Sequence, residues 1–258
     1  MKRIQNVGLM LLLFAACNNT QQQNTETVTA AVVPETKAPE AASVNCDNLI
    51  LFHKGAVIEG INYDAAGKEL GKQTSTVTDV TSTGGVTEAH VAMVVHTPKG
   101  DKPMNVVYKC DGKNLYIDIN SMMQNFQALK DAKAEFTAIQ FPLNISEGQT
   151  LPEASYSFSM NMGGRNITMK TTYKNRTVGP RQTITTPAGS WKCYKVNSEA
   201  DVEAVGGDER MKQVMSSMKD RMKTKMIMWY TPDFGIVKVD MYNGDKLSGY
   251  SQITSVKK

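Results

Sequence analysis

Short segments in which apolar or β-branched residues alternate with polar ones, each closed by a glycine- or proline-bearing turn, recur along this chain and restrict it to an antiparallel sheet. Ile167, Met169, Thr171 and Tyr173 alternate with Asn166, Thr168, Lys170 and Thr172. Gln73-Thr74-Ser75-Thr76-Val77-Thr78, Asn105-Val106-Val107-Tyr108, Asn114-Leu115-Tyr116-Ile117-Asp118-Ile119, Ile227-Met228-Trp229-Tyr230 and Ile236-Val237-Lys238-Val239-Asp240-Met241 also read as strands. Val91-Ala92-Met93-Val94-Val95 is apolar at every position, which suits a central strand covered on both faces. Gly84-Gly85, Pro98-Lys99-Gly100, Asp111-Gly112, Gly163-Gly164, Pro187-Ala188-Gly189 and Pro232-Asp233-Phe234-Gly235 supply the turns. Strands so closely spaced, with no helices between them, leave no room for parallel crossovers. Tyr63-Asp64-Ala65-Ala66-Gly67-Lys68-Glu69-Leu70-Gly71 is echoed by Tyr242-Asn243-Gly244-Asp245-Lys246-Leu247-Ser248-Gly249. Each reads as an ordinary hairpin; the alternative makes them matching edges of one curved sheet.

Two segments break the pattern. Residues 121–135 predict a helix capped by Ser121, with Met122, Phe126 and Leu129 near one face. Residues 208–223 predict a second, capped by Asp208 after Gly206-Gly207. There Met211, Met215, Met218 and Met222 recur at helical spacing with Val214 beside them, opposite Lys212, Lys219, Asp220, Arg221 and Lys223. Thioethers bind Cu(I), and Met160-Asn161-Met162 is another cluster, yet no histidine or cysteine interrupts the stripe to complete a site. Methionine is a soft filler that suits an adaptable lid over an apolar cavity. The expected fold is therefore mainly β: a single antiparallel, strongly curved sheet or open half-barrel, with one or two helices packed on its concave face or rim.

The start of the chain gives its address. Lys2-Arg3 precedes ten mostly apolar residues ending at Ala16, too few for a hydrocarbon core that needs about 20. Leu13-Phe14-Ala15-Ala16-Cys17 has the form of a bacterial lipobox, with Phe14 where leucine is usual. Residues 1–16 are expected to be a lipoprotein signal peptide and Cys17 the lipidated first residue of the mature chain. Residues 17–44, polar and with Pro34 and Pro39, read as a disordered tether with a span of roughly 30 Å. No acidic cluster follows Cys17, which points to the outer membrane facing the periplasm rather than to surface display. Residues 45–258 form the expected β-rich domain. Losing Lys2 and Arg3 leaves 27 basic against 25 acidic residues, a net charge of +2 that offers no dense basic face for nucleic acid.

Residues that could carry chemistry are few. Cys46, Cys110 and Cys193 remain in an oxidising compartment, so at most one pair can form within the chain; spacing does not say which. No histidine is placed to activate the leftover thiol. His90 and His96 share a strand and a face but stand about 20 Å apart, too far for one metal, and His53 is the only other histidine. Neither a Gly-x-Ser-x-Gly elbow nor a His-Glu-x-x-His motif is present. Ser216-Ser217-Met218-Lys219 fits Ser-x-x-Lys without companion motifs, and Glu59, Asp118, Glu147, Asp233 and Asp240 are scattered. No catalytic residue, metal or cofactor is expected.

The densest motif is Thr185-Thr186-Pro187-Ala188-Gly189-Ser190-Trp191-Lys192-Cys193-Tyr194-Lys195-Val196, a turn feeding a strand. Asn45-Cys46, Asn62-Tyr63-Asp64, Tyr108-Lys109-Cys110-Asp111-Gly112 and Trp229-Tyr230 with Gly235-Ile236-Val237-Lys238 accompany it. Together they resemble the TapB-like exported bacterial proteins, close to a domain-of-unknown-function group, over residues 46–254. The resemblance implies a β-rich envelope protein with no established activity and structural roles for Cys46, Cys110 and Cys193. Residues 206–223 depart from it in being longer and more helical. The expected function is non-catalytic binding of an apolar or amphipathic ligand in the concavity. The alternative is a structural or assembly factor docking on an envelope protein, and a hydrolase with a convergent site is the third reading.

Overall fold

In this computed structural model the described residues are 45–97, 100–118, 121, 134–136, 139–162, 165–206 and 224–258. Their alternating patterns form one sheet of thirteen strands: β1 (Val57–Asp64), β2 (Glu69–Thr83), β3 (Val86–Thr97), β4 (Gly100–Cys110), β5 (Asn114–Asp118), β6 (Ala134–Phe136), β7 (Ile139–Pro142), β8 (Ala154–Met162), β9 (Arg165–Thr186), β10 (Gly189–Gly206), β11 (Thr224–Thr231), β12 (Gly235–Asn243) and β13 (Lys246–Lys257). Every pairing is antiparallel, in the order β6-β8-β9-β10-β11-β12-β13-β1-β2-β3-β4-β5-β7. The first and last strands thus meet in the middle, Val57 opposite Lys257 and Tyr63 opposite Tyr250. The two echoed hairpins are neighbours there, with Tyr63 and Tyr250 stacked at 4.8 Å. The sheet's edges are β6 and β7, formed from the middle of the chain.

The sheet closes further than an open half-barrel. Residues 143–153 leave β7 and cross to β9, where Gly148 N and Leu151 N donate to the carbonyls of Val178 and Arg176, each at 2.8 Å. Arg176 is buried at this seam and spans it. Its Nη1 donates to Pro152 O at 2.6 Å and its Nη2 to Gln140 O at 3.0 Å, with the guanidinium over the Phe141 ring. Tyr230 stacks on Phe141 and donates its hydroxyl to Leu143 O at 3.3 Å.

Two 3-10 turns, Cys46–Asn48 and Ile50–Phe52, precede β1 and were not foreseen in the sequence. Leu49, Ile50 and Phe52 are buried in one cluster with Val77, Ala89, Val91, Cys110 and Leu115. Cys46 and Cys110 form a disulfide that ties these turns to the end of β4, and Cys193 is a buried free thiol. Among the described residues Ser121, the expected cap, is helical, and no longer stretch of α-helix is seen. Of the helix expected at 121–135, residues 134–135 are instead strand in β6, which pairs with β8 and covers part of its edge. Residues 122–133, and the helix expected at 208–223 with Met211, Val214, Met215, Met218 and Met222, lie outside the described residues, as do the tether and Cys17. Nor is β3 buried on both faces: Val91 and Met93 are buried while Ala92 and Val94 are partly exposed.

Candidate functional site

Register carries one face across the whole sheet. One row runs Val196, Met228, Val239, Ser251, Asn62, Gly71 on successive strands from β10 to β2. On one side of it lies the row Ser198, Met226, Met241, Gly249. On the other side the row Ile253, Gly60, Gln73, Val95 leads on to Lys102. Beyond that are Ser75, Met93, Met104 and Val77, Val91, Val106. Val77, Val91, Val106, Val196, Met228 and Met241 are buried, so this is the inner face.

Among the rows from β10 to β4, methionines therefore line the inner wall, Met93 and Met104 on one flank and Met226, Met228 and Met241 on the other. Sequence reading placed the methionine-lined surface on a helix and missed these. The signal was available, because Met226 and Met228 sit two apart in a strand and so share a face. Met93 and Val106 form a cluster of their own, with Val95, Met104, Tyr108 and Ile117 packed against it. Burial pushes the Tyr108 hydroxyl up to about 12. Between the methionine flanks the wall is small and polar: Gly60, Asn62, Gly71, Gln73 and Ser251. A cavity of about 140 Å³ opens there, bounded also by Val237, Val239 and Ile253.

The opposite face is organised differently. Trp229, although on that face, is buried and donates Nε1 to Asp240 at 2.6 Å. Lys238 bridges Asp240 at 2.9 Å and lies over the Tyr250 ring. A larger depression of about 270 Å³ is lined by Asn175, Glu199, Lys225 and Asp245 of this face together with Ser198 and Met226 of the inner rows. Its charged groups are already paired, Asn175 Nδ2 donating to Glu199 at 2.9 Å and Lys225 bridging Asp245 at 2.6 Å, while Ser198 Oγ is buried there without a hydrogen-bond partner among the described residues. Size alone would favour this depression. The smaller inner cavity is the better site, because apolar walls with a few polar groups suit a ligand while paired surface charges gain little by binding one.

The other sequence candidates are dispersed. His53 bonds the Asp47 carbonyl, His90 bridges Glu88, and His96 bonds Asp101 at 2.8 Å. Cys193 Sγ donates to Trp191 O, and burial pushes its thiol up to about 11, so it is no nucleophile at neutral pH. The dense motif at 185–196 proves to be a folding element. Pro187 and Ala188 make the turn, Gly189 takes φ 138°, and Trp191 donates Nε1 to Thr186 Oγ1 at 3.2 Å while packing on Phe234.

An antiparallel sheet rolled nearly into a barrel defines the class: β-rich proteins sharing a YmcC-like fold. A Bacteroides fragilis protein assigned as exported and as having that fold aligns with 80% of this chain and 97% of its own, at 19% identity and a TM-score of 0.58. A Parabacteroides distasonis protein assigned as a lipoprotein aligns with 84% of this chain and all of its own, at 18% identity and a TM-score of 0.61. The chain belongs to the DUF3108-like family, whose model matches residues 53–253. The narrower TapB-like resemblance is not confirmed by that match. Comparison with curated proteins finds no match.

Proposed function

We propose that this is a lipid-anchored cell-envelope protein that carries or senses an apolar or amphipathic ligand on its inner face and catalyses no reaction. The observation that supports this most is the inner wall itself, with Met93, Met104, Met226, Met228 and Met241 flanking a small polar floor. Unbranched thioether chains repack around apolar guests of different shape at little cost. Lipidation at Cys17 and a tether over residues 18–44 would hold the sheet near a bilayer without burying it there. The lipoprotein and exported assignments of the two proteins that share the fold favour that setting.

Docking on an envelope partner by strand addition is less favoured. Among the described residues the two edge strands have three and four residues, and β7 ends in Pro142, which leaves little ladder for a partner. Native mass spectrometry of the protein purified from its own envelope tests the carrier reading. Bound lipid-sized mass that is lost in a Met228→Asp/Met241→Asp variant is expected. An empty protein that also ignores added fluorescent fatty acids overturns it. Palmitate labelling tests the address: label should follow the wild-type chain and be absent from Cys17→Ser.

A further inference from the structure

We infer that the head group of this ligand is uncharged and hydrogen-bonding, and that it sits where Gly60 and Gly71 leave a notch among Asn62, Gln73 and Ser251. The inference rests on the carrier reading above and narrows it.

The notch is built into the backbone. Gly60 stands in register between Ile253 and Gln73, so its missing side chain leaves a gap two strand spacings wide, about 10 Å. Gly71 does the same beside Asn62. A Cβ at Gly60 would come within 3.3 Å of Gln252 O, and one at Gly71 within 3.0 Å of His96 O. The close coiling of β1 and β2 against their neighbours therefore favours glycine at both places, since a side chain would push the facing carbonyl back by a few tenths of an ångström. The cavity of about 140 Å³ lies here, at the foot of the wall formed by Val239, Met228, Met226 and Met241.

The polar groups around the notch are neutral. Asn62, Gln73, Ser75 and Ser251 are amides and hydroxyls, which can both donate and accept; Gln73 Nε2 already donates to Ser75 Oγ at 3.2 Å, which leaves its amide oxygen for a ligand's donor. Cations are nearby in sequence but not in reach. Lys238 lines the cavity, but its amino group is engaged by Asp240 at 2.9 Å and lies over the Tyr250 ring. Arg176 is committed to two carbonyls at the seam. Lys102 stands exposed at the end of the row, two strands beyond Gln73. An ionised carboxylate or phosphate entering the notch would lose water without gaining a counter-charge, whereas a hydroxyl or amide exchanges one hydrogen bond for another.

The test compares two probes of equal chain length, 1-monolauroylglycerol and laurate, by calorimetry below their aggregation concentrations. The protein is the mature chain carrying Cys17→Ser, and Gln73→Leu and Lys102→Gln variants are measured beside it. The glycerol ester should bind at least about tenfold tighter than laurate, and Gln73→Leu should erase most of that preference. Equal or tighter binding of laurate, or laurate binding that falls in Lys102→Gln, overturns the neutral-head inference while leaving the carrier reading standing. Binding of neither probe overturns both. Should Gln73→Leu lower the urea midpoint and so lose its value, the wild-type preference alone decides.

Discussion

Breaking the Cys46–Cys110 disulfide should destabilise the domain by about 4 kcal/mol. The two cysteines are 64 residues apart in sequence, and cross-linking a loop of that length removes roughly 14 cal/mol/K of entropy from the unfolded chain, about 4 kcal/mol at 25 °C. For a domain of this size each kcal/mol moves the midpoint by about 2–4 °C, so the melting temperature should fall by about 8–16 °C. The loss has a location as well as a size. Cys46 opens the turns that bury Leu49, Ile50 and Phe52 over the ends of β2 to β5, and without the bond only their packing holds them. Urea unfolding of the oxidised protein, the reduced protein and a Cys46→Ala/Cys110→Ala variant would be followed by Trp191 and Trp229 fluorescence. Hydrogen exchange at residues 49–56 would be read in parallel. Reduced protein and variant should shift together, with exchange in that segment rising before global unfolding. A shift under about 1 kcal/mol, with those amides still protected, would refute the reasoning.

Further expectations follow from other buried groups. Arg176→Met should cost about 2–3 kcal/mol by leaving the Pro152 and Gln140 carbonyls unsatisfied, and Arg176→Lys should recover little of it, as read from urea midpoints. Trp229→Phe should cost about 1.5–3 kcal/mol, and a double-mutant cycle with Asp240→Asn should show the two coupled. Cys193 in the folded protein should resist a thiol reagent at pH 8 and react fully once denatured; fast native reaction would contradict its burial. The hydroxyls of Tyr108, Tyr173 and Tyr230 all ionise above their ordinary range because packing shields them from water, although only Tyr230 is buried along its whole side chain. Stability should therefore hold below about pH 10, where unfolded tyrosine is neutral, and fall as pH rises toward 12. Absorbance titration should show these tyrosines ionising with unfolding and not before.

Strand alternation was legible because one face of an antiparallel sheet is wet and the other dry. β2, β3, β4, β5, β9, β11 and β12 lie where the pattern placed them. Closure was not legible. It depends on Arg176 reaching carbonyls 24 and 36 residues away, and no local pattern encodes such a contact. The 3-10 turns were hidden for a similar reason: Leu49-Ile50-Leu51-Phe52 is too short a run to show any period. At the candidate site, the helical period of the methionines at 211–222 drew notice that the strand period at Met226 and Met228 did not. The neutral floor was invisible because Gly60, Asn62, Gln73 and Ser251 come together only through the pairing of β1 with both β2 and β13.

That pairing also fixes when the protein can form. The centre of the sheet is made by the earliest and latest strands to leave a ribosome or a secretion pore, so the inner wall stays in two halves until residues 246–257 have emerged. Shortening the chain by those twelve residues would split the molecule down its middle, where most sheet proteins would merely lose a border. Its breakable margin sits instead at residues 134–142, in mid-chain, where β6 pairs with β8 and β7 pairs with β5, so the chain crosses from one border of the sheet to the other and back before β8 begins.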